Sequence, residues 1–279
     1  MNFLLEFRIY HVYKYNWTIQ YNESFFGGFM ETNSKQLPKI VKATDAEALA
    51  DLALNCFINY ANRAIEKQGL FRVAISGGST PVRFYERLSN AAHSKIQWEK
   101  VHIFWVDERC VPPSSEASNF GLATHAFLLD IPIPGENVHR VTGEAENYAD
   151  AVADYEQVIR DVFKIPKGRI PAFDLIVLGM GTDGHIGSIL PNTYVQFDTD
   201  DLVSAVYRMN GDYNRITLTV PVMKEAQRIL ILVSGKNKAK IVREVFGTEP
   251  DPIKYPVHAL WPVQHKIRWL IDEPAAGML

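Results

Sequence analysis

The residues best suited to chemistry fall in Gly179 to Pro191, GMGTDGHIGSILP. Asp183 and His185 stand two positions apart in this glycine-rich loop. An imidazole titrates near neutral pH, so His185 can take a proton from water and return it. Of the eight histidines, it alone lies in such a loop after an apolar run. A histidine without those neighbours would read as structural. Asp183 can orient the imidazole or hold the water; capping the loop is the plainer role. A second stretch, Ser76-Gly77-Gly78-Ser79-Thr80-Pro81, puts glycines and hydroxyls ahead of a helical segment. Free backbone amides with a helix dipole behind them suit an anion, although a tight strand-to-helix turn would use the same residues. Asp107-Glu108-Arg109 follows another apolar run. Side chains alternate there, so only part of the triplet can face one cleft, and a solvated loop is the other reading. Gly235-Lys236-Asn237-Lys238 opens a further helix, suited to an anion or to a solvated basic face.

These residues need a scaffold that brings strand ends together. Leu175 to Leu178 is a short apolar run bounded by Asp174 and a glycine cluster, the pattern of a buried parallel strand. Further strands are expected at Ile40 to Ala43, Phe71 to Ile75, Val101 to Val106, Val203 to Tyr207, Arg215 to Val220, Arg228 to Ser234 and Ile267 to Ile271. Between them the spacing predicts helices. Thr44-Asp45-Ala46-Glu47 reads as a capping box, with Thr44 as N-cap, for a helix to about Lys67 that Gly69 ends. Ala48, Leu52, Leu54, Cys56, Phe57, Tyr60 and Ala64 would form its broad inner face. Others run from Pro81 through Leu88, Phe120 to Leu129, Glu144 to Phe163, Pro221 to Gln227, and from Lys238 to about Phe246. The alternation predicts an α/β fold: a single domain with a mostly parallel, Rossmann-like sheet and helices on both faces. Ligands in such sheets bind outside the carboxyl ends of the strands.

Residues 35–279 read as that one catalytic domain. Residues 1–34 are rich in aromatics without a period, and read as an accessory extension or an upstream start, with Met30 as an alternative. Glu6, Arg8 and His11 interrupt the only stretch resembling a signal peptide. The formal charge of −3 and pI near 6.2 argue against nucleic acid or a membrane surface as partner. No apolar run reaches the roughly 20 residues that span a bilayer. Cys56 and Cys110 form neither a disulfide framework nor a zinc spacing; Cys56 reads as a small core residue, and a cytoplasmic setting is the default. Gly179-Met180-Gly181-Thr182-Asp183-Gly184 matches the GxGxxG dinucleotide pattern, yet Pro191 and Asn192 interrupt the helix that motif requires. Asp183 would also repel a pyrophosphate, so a nicotinamide cofactor is rejected.

Taken together, SGGSTP (76–81), WVDER (105–109), SNFG (118–121), LGMGTDGHIGSILP (178–191), RITLTVP (215–221) and SGKNKA (234–239) resemble the 6-phosphogluconolactonase family, in order and spacing, over roughly residues 38–275. The resemblance implies the sugar-phosphate isomerase/lactonase fold and a carboxylic ester hydrolase of the oxidative pentose phosphate pathway. The implied reaction converts 6-phospho-D-glucono-1,5-lactone to 6-phospho-D-gluconate, with no metal or organic cofactor. The partner is the small sugar-phosphate lactone, and the enzyme is expected as a monomer or weak homo-oligomer. A glucosamine-6-phosphate deaminase-like enzyme is the related alternative, and a non-catalytic sugar-phosphate-binding module a further one. Deaminases favour Asp-Glu-Tyr where this chain has Asp107-Glu108-Arg109, and Phe-Asn-Glu-Pro where it has Gly187-Ser188-Ile189-Leu190-Pro191.

On this reading His185 is the general base, Asp183 its partner, and Arg109 the cation for the developing oxyanion. Gly77, Gly78, Ser79 and Thr80 receive the phosphate, with Arg215 and Lys238 supplying charge and Asp107 joining the substrate contacts. The chain departs from the family in two places. Ile186 stands where lactonases usually have Thr, so a hydrogen bond from that hydroxyl would have to come from elsewhere, Ser188 being a candidate. Val82 replaces a basic residue, and the neighbouring Arg83 is turned by about 100 degrees on a helix, which leaves its access to the phosphate open.

Overall fold

The computed structural model describes residues 38–91, 94–193, 200–209 and 212–279. The expected extension at 1–34 lies outside them. In chain order the strands are β1 (Lys39–Ala43), β2 (Phe71–Ile75), β3 (Val101–Trp105), β4 (Asp107–Arg109), β5 (Val138–His139), β6 (Leu175–Gly179), β7 (Val203–Val206), β8 (Arg215–Leu218), β9 (Ile229–Val233) and β10 (Ile267–Asp272). The α-helices are α1 (Ala46–Gln68), α2 (Ser79–Ala91), α3 (Asn119–Ala126), α4 (Tyr148–Phe163), α5 (Val220–Glu225), α6 (Ala239–Gly247) and α7 (Glu273–Ala276).

A seven-stranded sheet runs in the order β1-β10-β9-β6-β2-β3-β5, and its neighbouring strands are parallel. The chain winds from β2 outward to β3 and β5, then from β6 the other way to β9 and β10. The neighbours β2 and β6 therefore flank the topological switch point, where the connections part and leave a crevice at the carboxyl ends. Leu175 to Leu178 and all of β9 are buried, as strands covered on both faces must be. Phe57, Phe71, Phe84 and Trp98 interlock where α1 and α2 cover the sheet. Truncating a fully buried ring such as Phe71 to Ala should cost about 3–5 kcal/mol.

Two expectations are corrected. Asp45, not Thr44, caps α1: its carboxylate accepts from Ala48 N at 2.8 Å, and the Thr44 hydroxyl donates to Asp45. Glu47 is then free to meet Arg83 and Arg87 on α2 instead of reaching back. Of the expected inner face of α1, Leu54, Cys56 and Phe57 are buried and Ala48, Leu52, Tyr60 and Ala64 partly so, with Leu49, Ala53, Ala61 and Ile65 buried beside them. The C-terminal end falls as expected, at Gly69 with φ 81°. The second correction concerns Asp107 to Arg109. They form strand β4 of a separate antiparallel sheet, β4-β8-β7, in which Asp107, Glu108 and Arg109 face Thr217, Ile216 and Arg215. Val106 links the two sheets: its N–H donates to Ile75 O at 2.8 Å and its carbonyl accepts from Leu218 N at 2.7 Å.

Candidate active site

The catalytic candidates sit where β6 runs out into tight turns. Gly181 N donates to His185 O at 2.9 Å and Gly184 N to Gly181 O at 3.1 Å. Gly184 adopts φ 85° and Gly187 φ 52°, left-handed values that glycine tolerates. A Cβ on Gly181 would overlap the His185 ring and the Asp183 carboxylate, so the missing side chain is what lets that pair close. His185 Nδ1 lies 2.6 Å from Asp183 Oδ1, which also accepts the His185 N–H at 3.2 Å. Burial pushes the Asp183 carboxyl up, but the bond to His185 and its charge outweigh that and hold it down at about 2. Bonded to an ionised Asp183, Nδ1 carries the proton, so that in the neutral ring Nε2 holds the lone pair and is the basic atom.

The neighbouring strand β2 ends in Ser76-Gly77-Gly78, and α2 begins at Ser79. Gly78 has φ 102°, and the space where a Cβ would stand is open. Gly77 is different: the Asn119 amide fills that space. The buried Tyr85 hydroxyl donates to Ser76 O and ties α2 back to the turn. A first helical turn with free amides and an open glycine in front is the arrangement that receives an anion.

In β4, alternation divides the triplet. Asp107 and Arg109 face the cleft, while the buried Glu108 turns to the N-terminus of α3. Its carboxylate accepts from Arg109 N, Asn119 N and Phe120 N at 2.7–2.8 Å and from Ser118 Oγ at 3.1 Å. Burial raises the Glu108 carboxyl against the pull of those donors. Asp107 Oδ2 accepts from Ser188 Oγ at 2.7 Å. Arg109 Nη1 donates to Ala117 O at 2.8 Å, and Arg215 Nη2 to Asp212 Oδ2 at 3.0 Å. The two arginines are register partners across the antiparallel pair, and both line the cleft. Like charges so placed repel, and an anion between them and the β2 turn relieves that repulsion. Lys238 Nζ reaches Met180 O at 2.7 Å; burial lowers its pKa while Asp183 opposes the shift.

A cleft of about 240 Å³ unites these parts. Gly77, Gly78, Ser79, Thr80, Asp107, Arg109, His185, Arg215 and Lys238 all line it. Asp183 bonds His185 but does not itself line the cleft. Arg83 is apart from the site altogether: it forms an exposed ion pair with Glu47 on α1 and does not line the cleft. One step along α2 from Val82 has turned it outward. Ser188 spends its hydroxyl on Asp107, so it supplies no bond to His185. Ile186 is fully buried in the core and bridges to Ile189, away from the chemistry. Asn119, absent from the expected site, lines the cleft, and its Nδ2 donates to Asp107 O at 2.7 Å. Its position in SNFG, at the start of a predicted helix, was the available signal. Among the described residues no group of three or more His, Cys, Asp and Glu side chains could hold a metal. No described helix is long and apolar enough to cross a membrane.

An anion-receiving turn and an imidazole–carboxylate pair at the switch point of a parallel sheet define a class: α/β enzymes that act on small anionic substrates. The particular family follows from comparison with known proteins. Residues 44–269 match the family described as glucosamine-6-phosphate isomerases/6-phosphogluconolactonase, and the chain belongs to it. The 6-phosphogluconolactonase of Nostoc sp. is 37% identical over 236 residues, covering 84% of this chain and 95% of that protein. The Synechocystis 6-phosphogluconolactonase is 35% identical over 242 residues, covering 87% and 98%. The crystal structure of 6-phosphogluconolactonase from Thermotoga maritima superposes with a TM-score of 0.70 at 28% identity, covering 84% of this chain and 99% of that one.

Proposed function

We propose that the protein hydrolyses 6-phospho-D-glucono-1,5-lactone to 6-phospho-D-gluconate in the oxidative pentose phosphate pathway. The observation that carries the reading is the 2.6 Å His185–Asp183 pair in the same cleft as the Ser76–Thr80 turn and the Arg109–Arg215 guanidiniums. Relatives named 6-phosphogluconolactonase, matched along most of their length, support it.

The phosphate sits on the amides of Gly78, Ser79 and Thr80, with Arg215 and Lys238 balancing its charge. His185 Nε2 takes a proton from water as the water oxygen adds to the lactone carbonyl carbon. Asp183 accepts from Nδ1 and stabilises the imidazolium that forms. Arg109 faces the oxyanion of the tetrahedral intermediate. The ring C–O bond then breaks, the released ring oxygen takes the proton from His185, and the acid leaves ionised after a proton passes to solvent. Asp107, held by Ser188, accepts from a sugar hydroxyl. The setting proposed is cytoplasmic, with residues 35–279 as the catalytic unit.

The test is acid release from the lactone, followed against spontaneous hydrolysis under the same conditions. Enzyme-dependent acceleration that titrates with protein is expected; a rate equal to the uncatalysed one defeats the proposal. Ammonia release from glucosamine 6-phosphate by the same sample would favour deaminase chemistry instead.

A further inference from the structure

Residues 251–258 lead from α6 into the 3-10 turns of Pro256–Lys266. None of them lines the cleft, yet they hold the loop that carries His185. Val257 N donates to Gly184 O at 3.0 Å, and Ile253 O accepts from Asn192 N at 2.9 Å. These bonds grip the loop just before His185 and again just past Pro191. Gly184 lies directly on Tyr255: a Cβ there would come within 3.2–3.3 Å of Tyr255 Cα and Cβ.

His258 pins this segment. It is 2% exposed, and its Nδ1 accepts from Asp251 N at 2.8 Å while Nε2 lies 2.8 Å from Val245 O on α6. A ring nitrogen that accepts an N–H carries no proton, so Nε2 must carry it and the ring is neutral. His258 therefore closes the segment on itself and ties it to α6. Asp251 Oδ1 turns the same stretch by accepting from Ile253 N and Lys254 N at 3.1 and 3.0 Å. Tyr255 OH adds a second tie to α6, donating to Glu244 Oε2 at 3.1 Å. Tyr255 and Trp261 stack edge-on against the imidazole.

We propose that His258 is a positioning residue for lactone hydrolysis: it sets residues 251–258, and through Val257 and Tyr255 these fix where Gly184 delivers His185. The inference rests on His185 acting as the base. Misplacing a catalytic group by about 1 Å can cost on the order of 100-fold in rate, so a loosened brace acts on turnover. The β2 glycine turn, the start of α2 and Arg215 on β8 make no bond to residues 251–258; Lys238, just ahead of α6, is the one phosphate-binding group beside the brace, and it holds Met180 O instead.

The experiment uses the full chain carrying His258→Phe, His258→Asn or Tyr255→Phe. His258→Phe keeps an aromatic ring but loses both bonds, and should lower kcat about 10- to 100-fold with KM within about twofold. His258→Asn offers an amide oxygen near the Nδ1 position and should recover part of that loss. Tyr255→Phe, losing only the Glu244 bond, should lower kcat by about threefold, and decides the matter if His258→Phe does not fold. Unchanged kcat in a folded His258→Phe protein, or in Tyr255→Phe when that variant decides, overturns the brace. So does a rise in KM matching the fall in kcat, which would mark general loosening. The His185 ring resonances, followed by NMR without substrate, should shift in the deciding variant, because the ring moves relative to Asp183. Unmoved resonances overturn the brace whether or not the wild type hydrolyses lactone, whereas an inactive wild type with moved resonances defeats only the proposed reaction.

Discussion

Two glycine turns leave the adjacent strands β2 and β6 at the same end of the sheet, and they use glycine in opposite ways. In the β2 turn, Gly78 faces open space. In the β6 turn, the room left by Gly181 is filled by the protein itself, with His185 and Asp183 folded into it. On the proposed mechanism the first turn clears a place for a ligand, the second for a catalytic pair. The difference separates substrate binding from turnover, and kinetics can break or sharpen it.

The largest effect is expected for His185→Ala, which should lower kcat by about 10²–10⁴-fold with an unchanged melting profile. Near-wild-type hydrolysis would remove His185 from its role. Gly181→Ala should follow: its methyl group collides with the imidazole and the carboxylate, so kcat should fall at least about tenfold with KM little moved, as read in initial-rate assays. Arg215→Ala should act on the other side of the comparison, raising KM by about tenfold and kcat changing less; an unchanged KM takes Arg215 out of the phosphate site. Gly78→Ala meets no atom but strains a backbone at φ 102°, at a cost of about 1–2 kcal/mol. A lowered melting temperature and a raised KM are expected, with kcat preserved. A fall in kcat like that of Gly181→Ala would erase the distinction between the turns. The smallest effect belongs to Arg83→Ala, since its exposed ion pair with Glu47 lies outside the cleft; titration against substrate should return the wild-type KM.

The two turns also differed in how much of them could be read in advance. The open turn was legible as a candidate anion receptor because its signal is local: a strand, two glycines, hydroxyls and a helix start within eleven residues of one another. The filled turn showed its residues but not their geometry. Nothing in the spacing of Asp183 and His185 separates a bonded pair from a capped loop; Gly181 decides it by leaving the space. Arg83 shows the reverse limit, since one residue of helical rotation sent a cation to Glu47.

β6 and β9 were recognisable because continuous apolar runs closed by Gly or Ser mark a strand buried on both faces. β4 was not, because three charges carry no strand signature; its partner β8 lies about a hundred residues on. The 251–258 segment escaped notice for the same reason, since Gly184 and Asn192, which it holds, lie more than fifty residues away. The chain's local chemistry thus determined the α/β class and the glycine turns, and it named the candidate base and most of the cations that line the cleft. Tertiary structure alone decided which side chains share a cleft, because the sheet order brings the ends of β2, β4, β6 and β8 together and burial turned Glu108 onto the start of α3, away from Asp107 and Arg109.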